Sequence, residues 1–192
     1  MSKEIFTEVV RSEGGEHLHV ILGGKDYYLP FKVLGGKKVA FLDISGQVAL
    51  NESSADELVE KLKEADVEFD TILNPVSKSN ALAHAIAVRF GIPYTVVARK
   101  SSSPAKVEAK YRSVTTPVEQ TLSLTDDDVE FIRGKRILVL DDVYGAGGTT
   151  KALMELAAKA EAKVVAHAVI GVEGGAKLPD GLFYLFELPT IK

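Results

Sequence analysis

Residues 138–153 read LVLDDVYGAGGTTKAL, and this stretch decides the fold. The aliphatic run that ends at Leu140 predicts a buried strand, and the residues that follow Gly148 predict a helix. Two adjacent aspartates and a glycine-rich turn lie between them. This order is typical of α/β proteins, in which ligands bind beyond the carboxyl ends of parallel strands. We therefore expect a ligand site at residues 141–150.

The turn has the features of a phosphate-binding loop. Its backbone N–H groups and the positive end of the helix dipole favour an anion, and Thr149 and Thr150 add hydroxyl donors. Asp141 and Asp142 could accept hydrogen bonds from the hydroxyls of a ribose. The alternative is a tight turn followed by a helix that the aspartates cap. The spacing fits neither the P-loop, whose lysine precedes the Ser or Thr, nor the GxGxxG pattern of dinucleotide binding. The predicted phosphate-binding residues are Gly145, Ala146, Gly147, Gly148 and Thr149.

The rest of the chain shows two kinds of secondary-structure pattern. From residue 69 onward, apolar strands alternate with helices, which predicts a parallel sheet covered on both faces. Residues 17–45 indicate a β meander, and Ser54 and Glu57 have the spacing of a capping box at the start of a helix. We expect an α/β fold in one compact unit, with a β-rich subdomain at 1–68 and the core with its C-terminal strand at 69–192.

A basic segment lies between two predicted strands of the core. Residues 99–112 carry five basic side chains and one acid, Glu108, in a chain whose formal net charge is −4. Local charge opposite to the global sign suits a polyanionic ligand. Residues 101–118 show no periodicity and predict a long loop, which in a compact domain is typical of a lid. The basic residues are Arg99, Lys100, Lys106, Lys110 and Arg112.

The composition limits the classes of function. Hydrophobic residues make up 46% and charged residues 26%, as in globular proteins. The chain has no cysteine, which excludes disulfides, thiolate metal sites and a cysteine nucleophile. The negative net charge argues against general affinity for nucleic acid. No apolar run is long enough to span a bilayer, and no secretion signal is evident at the N-terminus, so we expect a cytoplasmic protein without membrane partners.

The stretch VLDDVYGAGGTT resembles the phosphoribosyl-pyrophosphate (PRPP) signature of type I phosphoribosyltransferases. That resemblance implies a Rossmann-like parallel-sheet core with an N-terminal hood over the nucleobase. It implies that Asp141 and Asp142 orient the ribose and that the loop holds the 5′-phosphate. Many members carry threonine at the position of Ala146, so one phosphate-binding hydroxyl is missing here.

Two other segments are similar to family elements that contact pyrophosphate. Residues 74–87 resemble the pyrophosphate loop, with Ser77, Lys78 and Ser79 before a helix, and Arg99-Lys100 resembles a basic pair at a strand end. By the same resemblance, Lys106, Lys110, Tyr111 and Arg112 belong to a flexible lid. Glu108 is similar to a loop glutamate that assists proton movement on the base. The resemblance also implies Mg²⁺, held mainly by PRPP with Asp141 as the candidate protein ligand.

The sequence therefore predicts Mg²⁺-dependent transfer of a 5-phosphoribosyl group from PRPP to a purine. The long segment before the core resembles that of adenine, xanthine and orotate phosphoribosyltransferases. The stretch FGIPYTVVARK, the lid placement and the terminal LFYLFELP are most similar to the adenine and xanthine enzymes, and adenine is the leading acceptor. Xanthine, hypoxanthine-guanine and orotate enzymes remain alternatives, as does a regulator that senses PRPP without turnover. The resemblance alone implies a homodimer.

Overall fold

The computed structural model describes residues 5–34, 36–100, 104–112 and 119–191. Its first half contains β1 (Phe6–Ser12), β2 (Gly15–Leu22), β3 (Lys25–Leu34), β4 (Lys37–Ala40), α1 (Val48–Glu64), β5 (Thr71–Pro75), α2 (Asn80–Phe90) and β6 (Val96–Ala98). Its second half contains β7 (Val107–Tyr111), β8 (Gln120–Leu124), α3 (Asp126–Ile132), β9 (Arg136–Leu140), β10 (Val143–Tyr144), α4 (Gly148–Lys159), β11 (Lys163–Ala168), β12 (Gly171–Glu173), β13 (Leu182–Phe183), β14 (Phe186–Leu188) and β15 (Thr190–Ile191).

The central sheet is parallel, in the order β13-β11-β9-β5-β6. Two of its inner strands are buried on both faces: all five residues of β5 are buried, and so are the last four of β9. Such runs form when helices cover both sides of a sheet. The structure confirms the α/β class and the strands and helices predicted around residues 71–98 and 136–168.

Two helices begin at the carboxyl edge of this sheet. Helix α2 follows β5 and ends at Gly91, whose φ of 68° and ψ of 25° give the left-handed cap that glycine favours. Helix α4 follows β9 and β10, and its N-cap Gly147 also has a positive φ, 77°. The predicted order of strand, aspartate pair, glycine turn and helix is confirmed.

An antiparallel sheet packs beside this core, in the order β1-β2-β3-β4-β15. Leu18, Val20 and Leu22 of β2 are buried in one hydrophobic cluster with residues of α1 and the central sheet. The C-terminal strand β15 pairs with β4, with Thr190 opposite Val39. Both ends of the chain therefore build this hood sheet, and the division at residue 69 stays a prediction.

The predicted start of α1 is wrong. The helix begins at Val48, after Gln47, and Ser54 and Glu57 lie buried in its interior rather than forming a capping box at its end. The hydroxyl of Tyr27 donates to the carbonyl of Ala49, 2.9 Å away, and also contacts Ser53. Ser53 of α1 therefore faces the hood, while Ser54 and Glu57 are buried within the helix.

The segment 101–118 is not wholly irregular, contrary to expectation. Residues 107–111 form β7, which pairs with β8 in an antiparallel hairpin, and Ala109 is opposite Leu122. The pattern was missed because only Ala109 and Tyr111 of β7 are buried. The single strand expected at LFYLFEL is also wrong: β13 joins the central sheet, and β14 joins a second parallel sheet in the order β10-β12-β14.

Candidate active site

The aspartate pair lies directly beyond the carboxyl end of β9. The Asp141 N–H donates to the carbonyl of Ala168 on β11 at 3.1 Å, so the pair is tied to the neighbouring strand. The N–H of Asp142 donates to Asp141 Oδ1 at 2.8 Å, and the N–H of Val143 donates to Asp142 Oδ1 at 3.0 Å. Burial, and then the adjacent Asp142 carboxylate, raise the pKa of Asp141 well above its ordinary value.

The glycine turn leads from the aspartates to the start of α4. Because α4 begins at Gly148, the N–H groups of its first turn have no partner inside the helix and can bind an anion. A Cβ on Gly147 would lie 2.6 Å from the hydroxyl oxygen of Tyr144, and one on Gly148 would overlap the carbonyl oxygen of Arg112. Both positions are packed too closely for a side chain. The predicted phosphate-binding residues are thus together at a helix N-terminus.

A cavity of about 180 Å³ joins these elements. The aspartate pair and the turn form one side, and apolar residues of the hood and of β14 form the other. Leu34, Phe41 and Leu188 are among the apolar wall residues. The full lining consists of Leu34, Val39, Ala40, Phe41, Leu42, Lys78, Arg112, Asp141, Asp142, Val143, Tyr144, Gly145, Ala146, Gly147, Gly148, Thr149, Thr150, Glu173 and Leu188.

Lys78 is the predicted pyrophosphate residue that reaches this cavity. Its Nζ lies 3.8 Å from Asp142 Oδ2 and 5.0 Å from the centroid of the Phe41 ring. Ser79 is buried, and its hydroxyl donates to the carbonyl of Pro75 at 3.1 Å, so it holds the loop at the end of β5. Ser77 lies in the same loop. Sequence reasoning missed Asn74, whose buried Nδ2 donates to Asn80 Oδ1 at 2.8 Å.

Arg99 is not among the described residues that line the cavity. Its guanidinium donates to Asp128 of α3, whose side chain is only 3% exposed. Asp128 also accepts from the N–H of Thr125 at 3.0 Å, in the capping box that begins α3. In the acidic run 126–128 that begins α3, Asp128 is therefore a buried ion-pair partner rather than a solvated side chain. Lys100 follows in an exposed turn, and pyrophosphate binding by Arg99 and Lys100 stays a prediction.

Most of the described lid residues lie in the β7–β8 hairpin. Lys110 Nζ lies 3.1 Å from Glu119, and the Tyr111 hydroxyl donates to Gln120 at 2.8 Å. Burial raises the pKa of that hydroxyl. Lys106 pairs with Asp126 at 3.0 Å, while Glu108 is exposed. Of the predicted lid residues, Arg112 lines the cavity. Residues 101–103 and 113–118, which complete the predicted lid, lie outside the described residues.

One aromatic and one acidic residue that line the cavity were not predicted from the sequence. Phe41 follows β4 in the hood, and Glu173 is the last residue of β12. The rule that ligands bind at the carboxyl ends of parallel strands could have indicated Glu173. Phe41 had no such signal, because its place depends on how the hood packs against the core.

Two classes of site find no support in the described residues. Among them, no group of three or more His, Cys, Asp or Glu side chains has the arrangement of a metal site. Nor is any helix in that part of the chain both long and apolar enough to cross a bilayer. The cavity brings the glycine turn together with three acidic residues and two basic residues, which are Asp141, Asp142, Glu173, Lys78 and Arg112.

Comparison with known proteins agrees with this geometry. Residues 47–191 match the model of the phosphoribosyl transferase domain. The adenine phosphoribosyltransferase of Thermosipho melanesiensis is 31% identical over 137 residues, which cover 70% of this chain and 75% of that protein. The adenine phosphoribosyltransferase of Thermotoga sp. (strain RQ2) is 29% identical over 136 residues, which cover 70% of this chain and 78% of that protein.

Solved structures show the same fold. The crystal structure of adenine phosphoribosyltransferase from Thermoanaerobacter pseudethanolicus superposes with a TM-score of 0.63 at 21% identity, covering 83% of this chain and 95% of that one. The adenine phosphoribosyltransferase of Saccharomyces cerevisiae was crystallised with adenine and an imino-altritol bisphosphate. It superposes with a TM-score of 0.63 at 20% identity, covering 93% of each chain.

The fold and the site thus define an α/β protein with a glycine turn and an aspartate pair at the carboxyl edge of its parallel sheet. This chain belongs to the phosphoribosyl transferase domain family and is a phosphoribosyltransferase.

Proposed function

We propose that the protein transfers the 5-phosphoribosyl group of PRPP to a purine, with adenine as the preferred acceptor, and releases pyrophosphate. One observation carries this proposal: the aspartate pair, the glycine turn and Lys78 line one cavity that the hood covers. A sugar phosphate requires hydrogen-bond donors for its phosphate, and beside them acceptors for the hydroxyl groups of the sugar. The cavity supplies both within the reach of one molecule.

Each part of the donor has a matching group. The 5′-phosphate would accept hydrogen bonds from the N–H groups that begin α4 and from the Thr149 hydroxyl. Asp141 and Asp142 would accept hydrogen bonds from the ribose hydroxyls. Lys78, 3.8 Å from Asp142, would bind the pyrophosphate, with Lys100 as a second cation. For Arg99 we propose a positioning role through Asp128.

The chain's residues stabilise charge separation. Departure of pyrophosphate from the anomeric carbon leaves positive charge on the ribose ring and negative charge on the leaving group. The carboxylates lie where the ring charge develops, and the lysine lies where the leaving charge develops. The hood and the β7–β8 hairpin would limit the access of water to the ring, which is the role we propose for the lid.

The carboxylate oxygens of Asp141 and Asp142 fit Mg²⁺, which prefers oxygen ligands and keeps much of its shell from substrate phosphates and water. With no three-residue metal cluster among the described residues, we propose that PRPP supplies most of the ligands and Asp141 one of them. When bound, the ion would neutralise charge on the leaving pyrophosphate.

Adenine is supported by the relatives rather than by a contact. The relatives named above are adenine phosphoribosyltransferases, and their matches cover about three quarters of their length. The apolar hood residues Leu34 and Val39 could contact the faces of a purine ring. We further propose that the enzyme works as a homodimer in the cytoplasm and that the hood is a subdomain. Analytical sedimentation tests whether the protein is a dimer.

The test is pyrophosphate release from PRPP and Mg²⁺ with adenine, hypoxanthine, guanine, xanthine and orotate in parallel. We expect turnover with a purine and the highest kcat/KM with adenine. Omission of Mg²⁺, with chelator present, should abolish release. Turnover with another base would replace adenine in the proposal. PRPP binding by calorimetry without turnover of any base would instead favour a PRPP-sensing regulator.

A further inference from the structure

Glu173 lies against the glycine turn, beside the aspartate pair. It ends β12, which runs parallel to β10 with Tyr144 opposite Val172, so the next residues, Gly145 and Glu173, are neighbours. A Cβ on Gly145 would lie 2.6 Å from Glu173 Oε2. Glycine at 145 therefore leaves the space that the carboxylate occupies, and the carboxylate lines the cavity.

The Glu173 carboxylate has no partner among the described residues: none of them donates a hydrogen bond to its side chain or forms an ion pair with it. Other acids of the protein are paired: Asp128 binds Arg99, and Asp70 binds Arg136 at 2.8 Å. An acceptor that lines a cavity without a donor of its own is available to a ligand.

The charge of Glu173 limits which part of the ligand it can contact. A carboxylate repels phosphate, so it does not serve the 5′-phosphate or the pyrophosphate. Under the proposed function, Asp141 and Asp142 already accept hydrogen bonds from the ribose. The part of the reactants that remains is the acceptor base, which presents N–H donors at its edge.

The surroundings of Glu173 suit a flat base. Leu34 and Val39 of the hood line the cavity together with Glu173. The same three residues also line an adjoining cavity of about 390 Å³ that continues past Gly145 and Ala146. Apolar side chains can contact the faces of a ring while the carboxylate contacts its edge.

We propose that Glu173 is a specificity-determining residue that accepts a hydrogen bond from an N–H of the acceptor base. This inference rests on the proposed function and names the substrate class more closely. An ionised carboxylate only accepts hydrogen bonds, so it favours an amino group over a carbonyl oxygen at the same place. Where the N–H is that of the 6-amino group, the site favours adenine over hypoxanthine, whose 6-oxygen can only accept a hydrogen bond.

The test compares wild type with Glu173→Gln, which keeps the shape but can also donate. Glu187→Gln is the matched control, because Glu187 lies on the neighbouring strand β14, opposite Val172, and is exposed. Calorimetry measures the affinity for AMP and for ribose 5-phosphate, which lacks the base. Steady-state kinetics measure kcat/KM for adenine and hypoxanthine.

We expect Glu173→Gln to weaken AMP binding about tenfold, as for the loss of a charged hydrogen bond, with ribose 5-phosphate unchanged. The preference for adenine over hypoxanthine should fall by a similar factor, and Glu187→Gln should change neither. If the affinities for AMP and ribose 5-phosphate change equally, or if the affinity for AMP does not change, the inference is overturned while the proposed function stands.

Two further outcomes are decisive. If wild type binds neither ribose 5-phosphate nor PRPP, the proposed function fails and this inference fails with it. If Glu173→Gln does not fold, Glu173→Asp replaces it, because it keeps a carboxylate that is one methylene shorter. A lower affinity for AMP alone then supports the inference, and equally lower affinities for AMP and ribose 5-phosphate overturn it.

Discussion

Lys78 and Arg99 follow two neighbouring parallel strands, β5 and β6, and the sequence predicts the same ligand for both. The structure separates them. Lys78 lines the cavity, with its Nζ 3.8 Å from Asp142, too far for a hydrogen bond. Arg99 donates to the buried Asp128 at the start of α3. The end of a strand thus predicts where a basic residue lies along the chain, but the nearest carboxylate determines where its charged group is positioned.

The contrast has an energetic basis. Asp128 is buried, and a buried carboxylate without a partner is strongly unfavourable, so Arg99 is needed where it is. Lys78 forms only a loose ion pair with Asp142, at 3.8 Å, which leaves its N–H groups available to donate to phosphate oxygens. We therefore expect variants on the Asp142–Lys78 side to lose activity, and variants on the Asp128–Arg99 side to lose stability first.

The largest effect is expected from Asp141→Asn combined with Asp142→Asn. Turnover should fall at least about a thousandfold, because the charges that face the ribose ring are lost. Pyrophosphate release measures it, and circular dichroism checks the fold. Asp126→Asn with Asp127→Asn, an exposed pair that begins α3, is the control and should keep near-normal activity. Near-normal turnover in the Asp141 and Asp142 variant would contradict the ribose assignment.

The second prediction concerns Lys78 itself. Lys78→Met should lower kcat/KM for PRPP about a hundredfold, because a charged donor to the pyrophosphate is lost, with less than about 0.5 kcal/mol change in the free energy of unfolding. Kinetics with PRPP as the varied substrate give the first value, and urea unfolding gives the second. A larger loss of kcat/KM in Arg99→Met, at unchanged stability, would reverse the comparison.

The third prediction tests the other side. Arg99→Met should lower the free energy of unfolding by about 2 kcal/mol, less than for a fully enclosed pair because Arg99 is half exposed. Urea unfolding measures the loss. The double variant Arg99→Met with Asp128→Asn should lose less than the sum of the single variants, because the unpaired carboxylate is gone. Additive losses would show that the two side chains do not stabilise each other.

The sequence predicted local order well and distant partners poorly. The strand, aspartate pair, glycine turn and α4 are consecutive, so their spacing alone indicated the site. The pairing of Arg99 with Asp128, and the contact of Ser53 with Tyr27 of the hood, depend on packing between segments far apart in the chain. Periodicity predicts which face of an element is buried but not which segment covers it. The β7 strand was missed because only two of its five residues are buried, which leaves little apolar pattern to detect.

The fourth prediction uses Asp141, which, unlike Asp128, forms no ion pair with a described residue. Since burial and Asp142 raise the pKa of Asp141, its contribution to stability is fully present below its unfolded pKa and is lost as the pH rises through the folded pKa. Asp141→Asn should therefore raise the free energy of unfolding by about 1 kcal/mol at pH 8, with a smaller gain towards pH 4. Urea unfolding across this range measures the difference. A gain independent of pH would show that the carboxylate charge is not its cause.

The smallest effect is expected at Ala146, the position in the turn where many family members carry threonine. Ala146 is exposed and lines the cavity, so a larger side chain has room. Ala146→Thr should lower KM for PRPP about threefold, as for one added neutral hydrogen bond, while Lys78 and the aspartates keep their places. Ala146→Val has the same shape without the hydroxyl and should not lower KM. An equal decrease in both variants would mean that shape, rather than a hydrogen bond, improves the turn, and the backbone N–H groups would then be the main donors to the phosphate.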